Sequence, residues 1–188
     1  LFASGIRSGL AFCLLFFSIV YLRGITKSVL IITSAFLHAS MAPIIGLYFM
    51  YYLFKNKRSN LTIPVTYLIL LVYGAIVVYS SNSFFTLAIV SQSNSYQILV
   101  LFLATLFIFI NQETVKNLYG FLSIGIILIV LIGFLFDLSF IRYIGNALLF
   151  YLFFLIERND KRTIKLFLIS YFPFFILTTL YSIPGIIR

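Results

Sequence analysis

The chain has no tryptophan, a single cysteine, a single histidine and only four acidic residues in 188 positions. The lone cysteine, Cys13, rules out an internal disulfide and reads as a small packing residue in an apolar stretch. No CxxC, no HExxH and no cluster of Asp and Glu is found, so the sequence offers no metal site and implies no cofactor. A Walker loop is missing, which excludes ATP hydrolysis by this chain. Without GxSxG, a hydrolase elbow has no support. Charge is scarce altogether: charged residues are 9% of the chain, against about a quarter in a soluble domain. Neither a soluble domain, a low-complexity linker nor an internal repeat can be drawn from the pattern.

What is present is apolar. The chain is 63% hydrophobic, with 23 Phe, 13 Tyr and a mean hydropathy of +1.16. Several runs approach or exceed the ~18 apolar residues that read as a membrane span. The expectation is an all-α, polytopic transmembrane helix bundle, with residues 1–188 forming one integral membrane domain. Seven apolar segments are drawn: Arg7–Leu22, Ser28–Phe54, Thr62–Tyr79, Tyr96–Ile110, Leu118–Phe136, Phe140–Ile156 and Ile164–Ile183. Their continuity along the chain excludes a cleaved signal peptide as their source. The sequence opens at Leu1 in mid-apolar sequence, which reads as the C-terminal part of a longer protein.

The connections are short and basic: "RGITK" at 23–27, "KNKRSN" at 55–60, "NQETVKN" at 111–117 and "ERNDKR" at 157–162. In this setting a net charge of +9 marks cytoplasmic loops and not a nucleic-acid surface. One longer connection carries no charge. Ser80–Ser83 and Ser91–Ser95 flank "FFTLAIV" at 84–90, too few apolar residues to span. It reads as an ordinary polar loop, with a sugar-facing surface as the alternative.

The stretch "AFLHASMAP", Ala35–Pro43, stands out inside the Ser28–Phe54 run because it holds the only histidine beside a serine and a proline. As one helix the run reaches ~40 Å, against a hydrocarbon core of ~30 Å. A single crossing also puts Arg23/Lys27 and Lys55/Lys57/Arg58 on opposite sides, against the positive-inside rule. Pro43 has no amide hydrogen and clashes with the preceding turn, so it suits a break. Two arms, Ser28–Leu37 and Ile44–Phe54, then return to the same side. Of the basic residues only Arg7, Arg142 and Arg188 remain on the far side, together with His38 and Asp137.

Ionisable groups at such depth usually face a cavity and mark a functional path. Arginine suits an oxyanion because its planar fork binds bidentately and stays charged. Histidine suits proton transfer near neutral pH. Arg142 and Asn146 share a helix face. The candidate site is therefore His38 and Arg7 as catalytic residues, with Arg142, Asp137, Asn146 and Ser40 binding substrate. Each also has a plain structural reading. Arg7 can anchor at the headgroups, His38 can link two helices, and Asp137 and Arg142 can pair with each other.

The segment Ser4–Phe54 resembles the EpsG/Wzy-like polysaccharide polymerases. The pattern is an Arg, a small-apolar "GLA" helix, a short basic turn, then "A-x-x-H-x-S". Arg7, Gly9-Leu10-Ala11, Arg23/Lys27 and Ala35-Phe36-Leu37-His38-Ala39-Ser40 follow it in order. The resemblance covers about the first third. The R-x10-G repeat of some Wzy proteins is missing, so no mechanism built on it transfers. The resemblance implies a bacterial, multi-pass inner-membrane glycosyltransferase that polymerises O-antigen or exopolysaccharide at the periplasmic face. Donor and acceptor would be repeat units on undecaprenyl pyrophosphate, with no cofactor, no metal and no nucleic acid. Membrane lipids, a flippase and a chain-length regulator would be partners. Arg7 and Arg142 would hold the pyrophosphate, and His38 would serve as base or hydrogen-bonding group toward the acceptor hydroxyl. The alternative function is a transporter or flippase for a lipid-linked saccharide or small solute, whose helices are also commonly broken.

Overall fold

The computed structural model describes residues 2–55, 63–84, 115–135 and 142–169. Among them the fold is all-α, with no strand. The helices are α1 (Phe2–Tyr21), α2 (Gly24–Leu37), α3 (Ala42–Lys55), α4 (Ile63–Phe84), α5 (Leu118–Leu135), α6 (Arg142–Glu157) and α7 (161–169). A three-residue 3₁₀ turn, Ala39–Met41, joins α2 to α3. Among the described residues no helix is long and apolar enough to cross a membrane. The expected segment Tyr96–Ile110, much of Ile164–Ile183, and the residues Asp137 and Arg188 lie outside the described residues.

Helix α5 is the centre of the bundle. Phe121, Leu122, Ile124, Ile126, Ile127, Leu128, Ile129 and Val130 are all 5% exposed or less. A helix apolar around its whole circumference has to be buried on every side. Helix α1 presents Ala11, Leu15 and Ile19 inward, each four residues after the last. Two glycines let backbones come close. A Cβ on Gly125 would lie 2.6 Å from Leu47, and one on Gly74 would lie 2.7 Å from Ile132.

The contacts fix the direction of each helix. Tyr51 stacks edge-on to Phe121 at 5.6 Å, and its hydroxyl donates to the Lys116 carbonyl at 3.4 Å. The end of α3 therefore meets the start of α5. Asn117 pairs with Glu157 through its side-chain amide, bringing the end of α6 to the same place. Helices α1 and α6 run parallel, since Phe12 meets Phe150 (5.9 Å) and Phe16 meets Phe153 (4.7 Å). The α1–α2 corner falls at that end too. Lys27, in the first turn of α2, donates to the Ile19 carbonyl at 3.1 Å and sits 5.2 Å from the Tyr48 ring of α3. So α2 and α3 are two arms that begin and finish at one end of the bundle. Each has 14 residues, or about 21 Å of helix.

Sequence features explain the corners. Only Leu22 and Arg23 separate α1 from α2, and Gly24 takes a φ of +67 that a side chain would resist. Asn117 caps α5 by accepting from the Tyr119 amide at 2.8 Å. "ERNDKR" is a tight corner and not an open loop. Asn159 turns the chain at φ 56, and Asp160 accepts from the Thr163 amide (3.1 Å) and hydroxyl (2.7 Å) to start α7. One expectation needs correction. Ser80–Ser83 is not loop but the last turn of α4, which runs to Phe84. Serine and asparagine are only weakly unfavourable in a helix already under way.

Candidate functional site

The expected break lies where α2 gives way to α3. His38 leaves the helix with φ −156 and ψ 116, its own amide still donating to the Ser34 carbonyl at 3.1 Å. Its Nδ1 then accepts from the Ser40 amide at 3.2 Å and lies 2.5 Å from Ser40 Oγ. The Met41 amide closes the turn onto the His38 carbonyl at 3.0 Å. Pro43 is the second residue of α3, where a missing N–H costs nothing. A continuous helix would press the Pro43 ring against the Ala39 carbonyl. Proline thus forbids continuity, and the imidazole supplies the cap that replaces it.

Two tyrosines absent from the sequence-derived site hold this turn. Tyr143, in the first turn of α6, donates to the Ser40 carbonyl at 2.6 Å. Tyr73, in α4, donates to the Pro43 carbonyl at 2.9 Å. The two hydroxyls thereby tie α6 to the turn itself and α4 to the first turn of α3. The signal that could have found these tyrosines is their amphipathic character. A tyrosine within an apolar helix needs a partner for its hydroxyl.

The other candidates group around this turn to different degrees. His38 and Ser40, both half-buried, are in direct contact. Tyr143 brings the start of α6 onto Ser40, which places Arg142 one residue away in the chain and Asn146 one helical turn further on. Arg7 precedes the Leu22–Arg23 corner by as many residues as His38 follows it, so the α1–α2 hairpin sets the two at one level. Arg7 is exposed and has no partner among the described residues. Asp137 lies outside them.

The bundle therefore has two unlike ends. One gathers Arg23, Lys27, Lys116, Arg158, Lys161 and Arg162 at its corners. The other holds Arg7, the His38–Ser40 turn and the start of α6. Among the described residues no group of His, Cys, Asp or Glu could hold a metal ion. The donors at the histidine end are of a kind that binds oxyanions: guanidinium, imidazole and hydroxyl. In comparisons with known proteins, no family model matches the chain, and no curated protein or solved structure is significantly similar to it.

Proposed function

We propose that the chain is part of a membrane-embedded polysaccharide polymerase, with its site at the end of the bundle that carries His38. The observation that carries this reading is the gathering of Arg7, His38, Ser40 and the Arg142–Asn146 turn at one end, away from the basic corners. The surface supports a lipid setting. Ile25, Phe36, Leu53 and Ile76 are 60–87% exposed. On α2 the exposed apolar residues Ile25, Val29, Ile32 and Phe36 form one stripe, and Val65, Leu68, Val72, Ile76 and Tyr79 form another on α4. Soluble monomers rarely show apolar patches beyond a few hundred Å². The longest uncharged helix, α4 with 22 residues, measures about 33 Å.

In this reading the acceptor hydroxyl attacks the anomeric carbon of the donor glycan. The bond from that carbon to the pyrophosphate oxygen breaks, and the polyprenyl pyrophosphate leaves with the electron pair. Arg7 and Arg142 stabilise the charge that grows on the leaving group. The hydroxyl proton ends on the departing pyrophosphate or in water. The resemblance of Ser4–Phe54 to the EpsG/Wzy-like polymerases is consistent with this assignment.

A polymerase acts after repeat units are built and flipped. Cells lacking the full-length protein should carry the lipid core with one repeat unit and no ladder of longer chains. His38→Asn should give the same phenotype at normal abundance, because Asn retains a capping oxygen for the turn. A carrier predicts otherwise. Its loss would remove the single-unit band as well and leave lipid-linked units on the cytoplasmic leaflet. Loss of that band in the deletion strain would replace the polymerase with a flippase.

A further inference from the structure

The polymerase chemistry leaves two parts open to the histidine, acceptor of a proton or donor of a hydrogen bond. We infer that His38 serves as a fixed donor through Nε2–H to an anionic phosphate oxygen. The argument starts with a backbone amide. Ser40 N–H is an obligatory donor, and it points at His38 Nδ1 from 3.2 Å. A proton on Nδ1 would meet that amide proton head-on, so Nδ1 holds its lone pair. Ser40 Oγ, at 2.5 Å from the same nitrogen, must then donate as well. The neutral imidazole keeps its one proton on Nε2.

The tautomer is set by the covalent chain itself, because donor and acceptor are two residues apart. Tyr143 adds a second restraint by donating to the carbonyl of the same serine at 2.6 Å. Among the described residues, Nε2 has no partner. A neutral imidazole so arranged offers N–H outward and cannot take a proton there. At its level stand Arg7 and the start of α6 with Arg142, which are donors without acceptor capacity. Two guanidiniums and an outward N–H, beside an Asn146 amide that can also accept, favour a ligand rich in acceptors and negative charge, which is a phosphate or pyrophosphate. The identification of that phosphate as the head of a polyprenyl lipid rests on the polymerase reading. The tautomer and the anion class do not.

The single histidine makes the test direct. The full-length protein, with isotope-labelled histidine and held in lipid nanodiscs, gives one pair of ring-nitrogen resonances. At mildly alkaline pH the proton should sit on Nε2 and Nδ1 should show an unprotonated shift. Ser40→Ala should leave that tautomer in place, because the amide donor remains. Inorganic pyrophosphate should then move the Nε2–H signal, and Arg7→Gln should weaken the response. A proton found on Nδ1 would overturn the donor assignment. The correct tautomer with no response to pyrophosphate would overturn the anion assignment. In the ladder assay His38→Gln, whose side-chain N–H stands near the position of Nε2, should keep activity within about ten-fold. His38→Asn should lose about 10²-fold or more, as for removal of one oxyanion donor. Equal loss in both variants would point to a base. A ladder unchanged by either, with pyrophosphate still binding, would sink the polymerase reading and leave the anion site standing.

Discussion

At the scale of single residues, the candidates stand out because ionisable residues are so rare in this chain. One histidine among apolar neighbours singles itself out, and so do Arg7 and Arg142. Their partners were less visible. Nothing in the order of residues says that Tyr143 reaches a carbonyl 103 positions away, or Tyr73 one 30 positions away. Arg7→Lys tests the oxyanion role without removing charge. A bidentate fork is not replaced by a point charge, so the variant should lose most activity at normal abundance. A headgroup anchor would accept lysine. Ser123 offers a contrasting test. Its hydroxyl is buried without a partner among the described residues, so Ser123→Ala should be neutral or stabilising by up to about 1 kcal/mol. A loss of thermal stability would show that the hydroxyl has a partner.

At the scale of elements, the broken helix was readable because Pro43 cannot lie inside a continuous one. The cause is shared, however. His38 caps the turn, Tyr143 ties it to α6, and Tyr73 ties the first turn of α3 to α4. Pro43→Ala should therefore leave the break in place, as judged by an unchanged distance between spin labels at Thr26 and Tyr52. A lengthening to that of one straight helix would return the break to proline alone. Gly46 shows how tightly Tyr73 is seated, since a Cβ there would collide with the tyrosine hydroxyl. Gly46→Ala should cost roughly 1–3 kcal/mol by overpacking. Gly145→Ala, with nothing within 4 Å of the added atom, should be neutral or slightly stabilising.

The α6–α7 corner carries its own pH dependence. Hydrogen bonds from Thr163 hold the Asp160 carboxyl below the usual carboxylate range. That cap is fully present above the ordinary carboxylate pKa and is lost as pH falls through the lowered one. Amide exchange at Thr163 should quicken only on strong acidification, and Asp160→Ala should quicken it at neutral pH.

At the scale of the whole molecule, the separation of basic corners from the histidine end was foreseen from loop charges and one proline. The placement of α5 at the centre was not foreseen, although its sequence is apolar all round. Nor was it foreseen which helices touch it, because a chain apolar on nearly every face carries little periodic signal to choose among them. The arrangement predicts that Thr26 and Asn159 share one side and Ser8 the other. Single cysteines at these positions, in a Cys13→Ser background, should divide in that way toward a membrane-impermeant thiol reagent. Labelling of Thr26 and Asn159 from opposite sides would reject it.

If the chain lies in a bilayer, as the polymerase reading requires, the two arms α2 and α3 bear on the lipid beside them. At about 21 Å each, they fall short of a hydrocarbon layer of ~30 Å. A protein anchored by its basic corners on one face would hold the His38 turn several ångströms beneath the opposite surface. The membrane accommodates such mismatch by thinning beside the short elements. Headgroups would then dip toward the turn, and a lipid-borne phosphate would meet His38 by lateral diffusion within its own leaflet. Turnover should rise in bilayers of shorter acyl chains and fall in longer ones, with protein content held constant. A rate indifferent to chain length would mean that the His38 turn is reached from water and not from lipid.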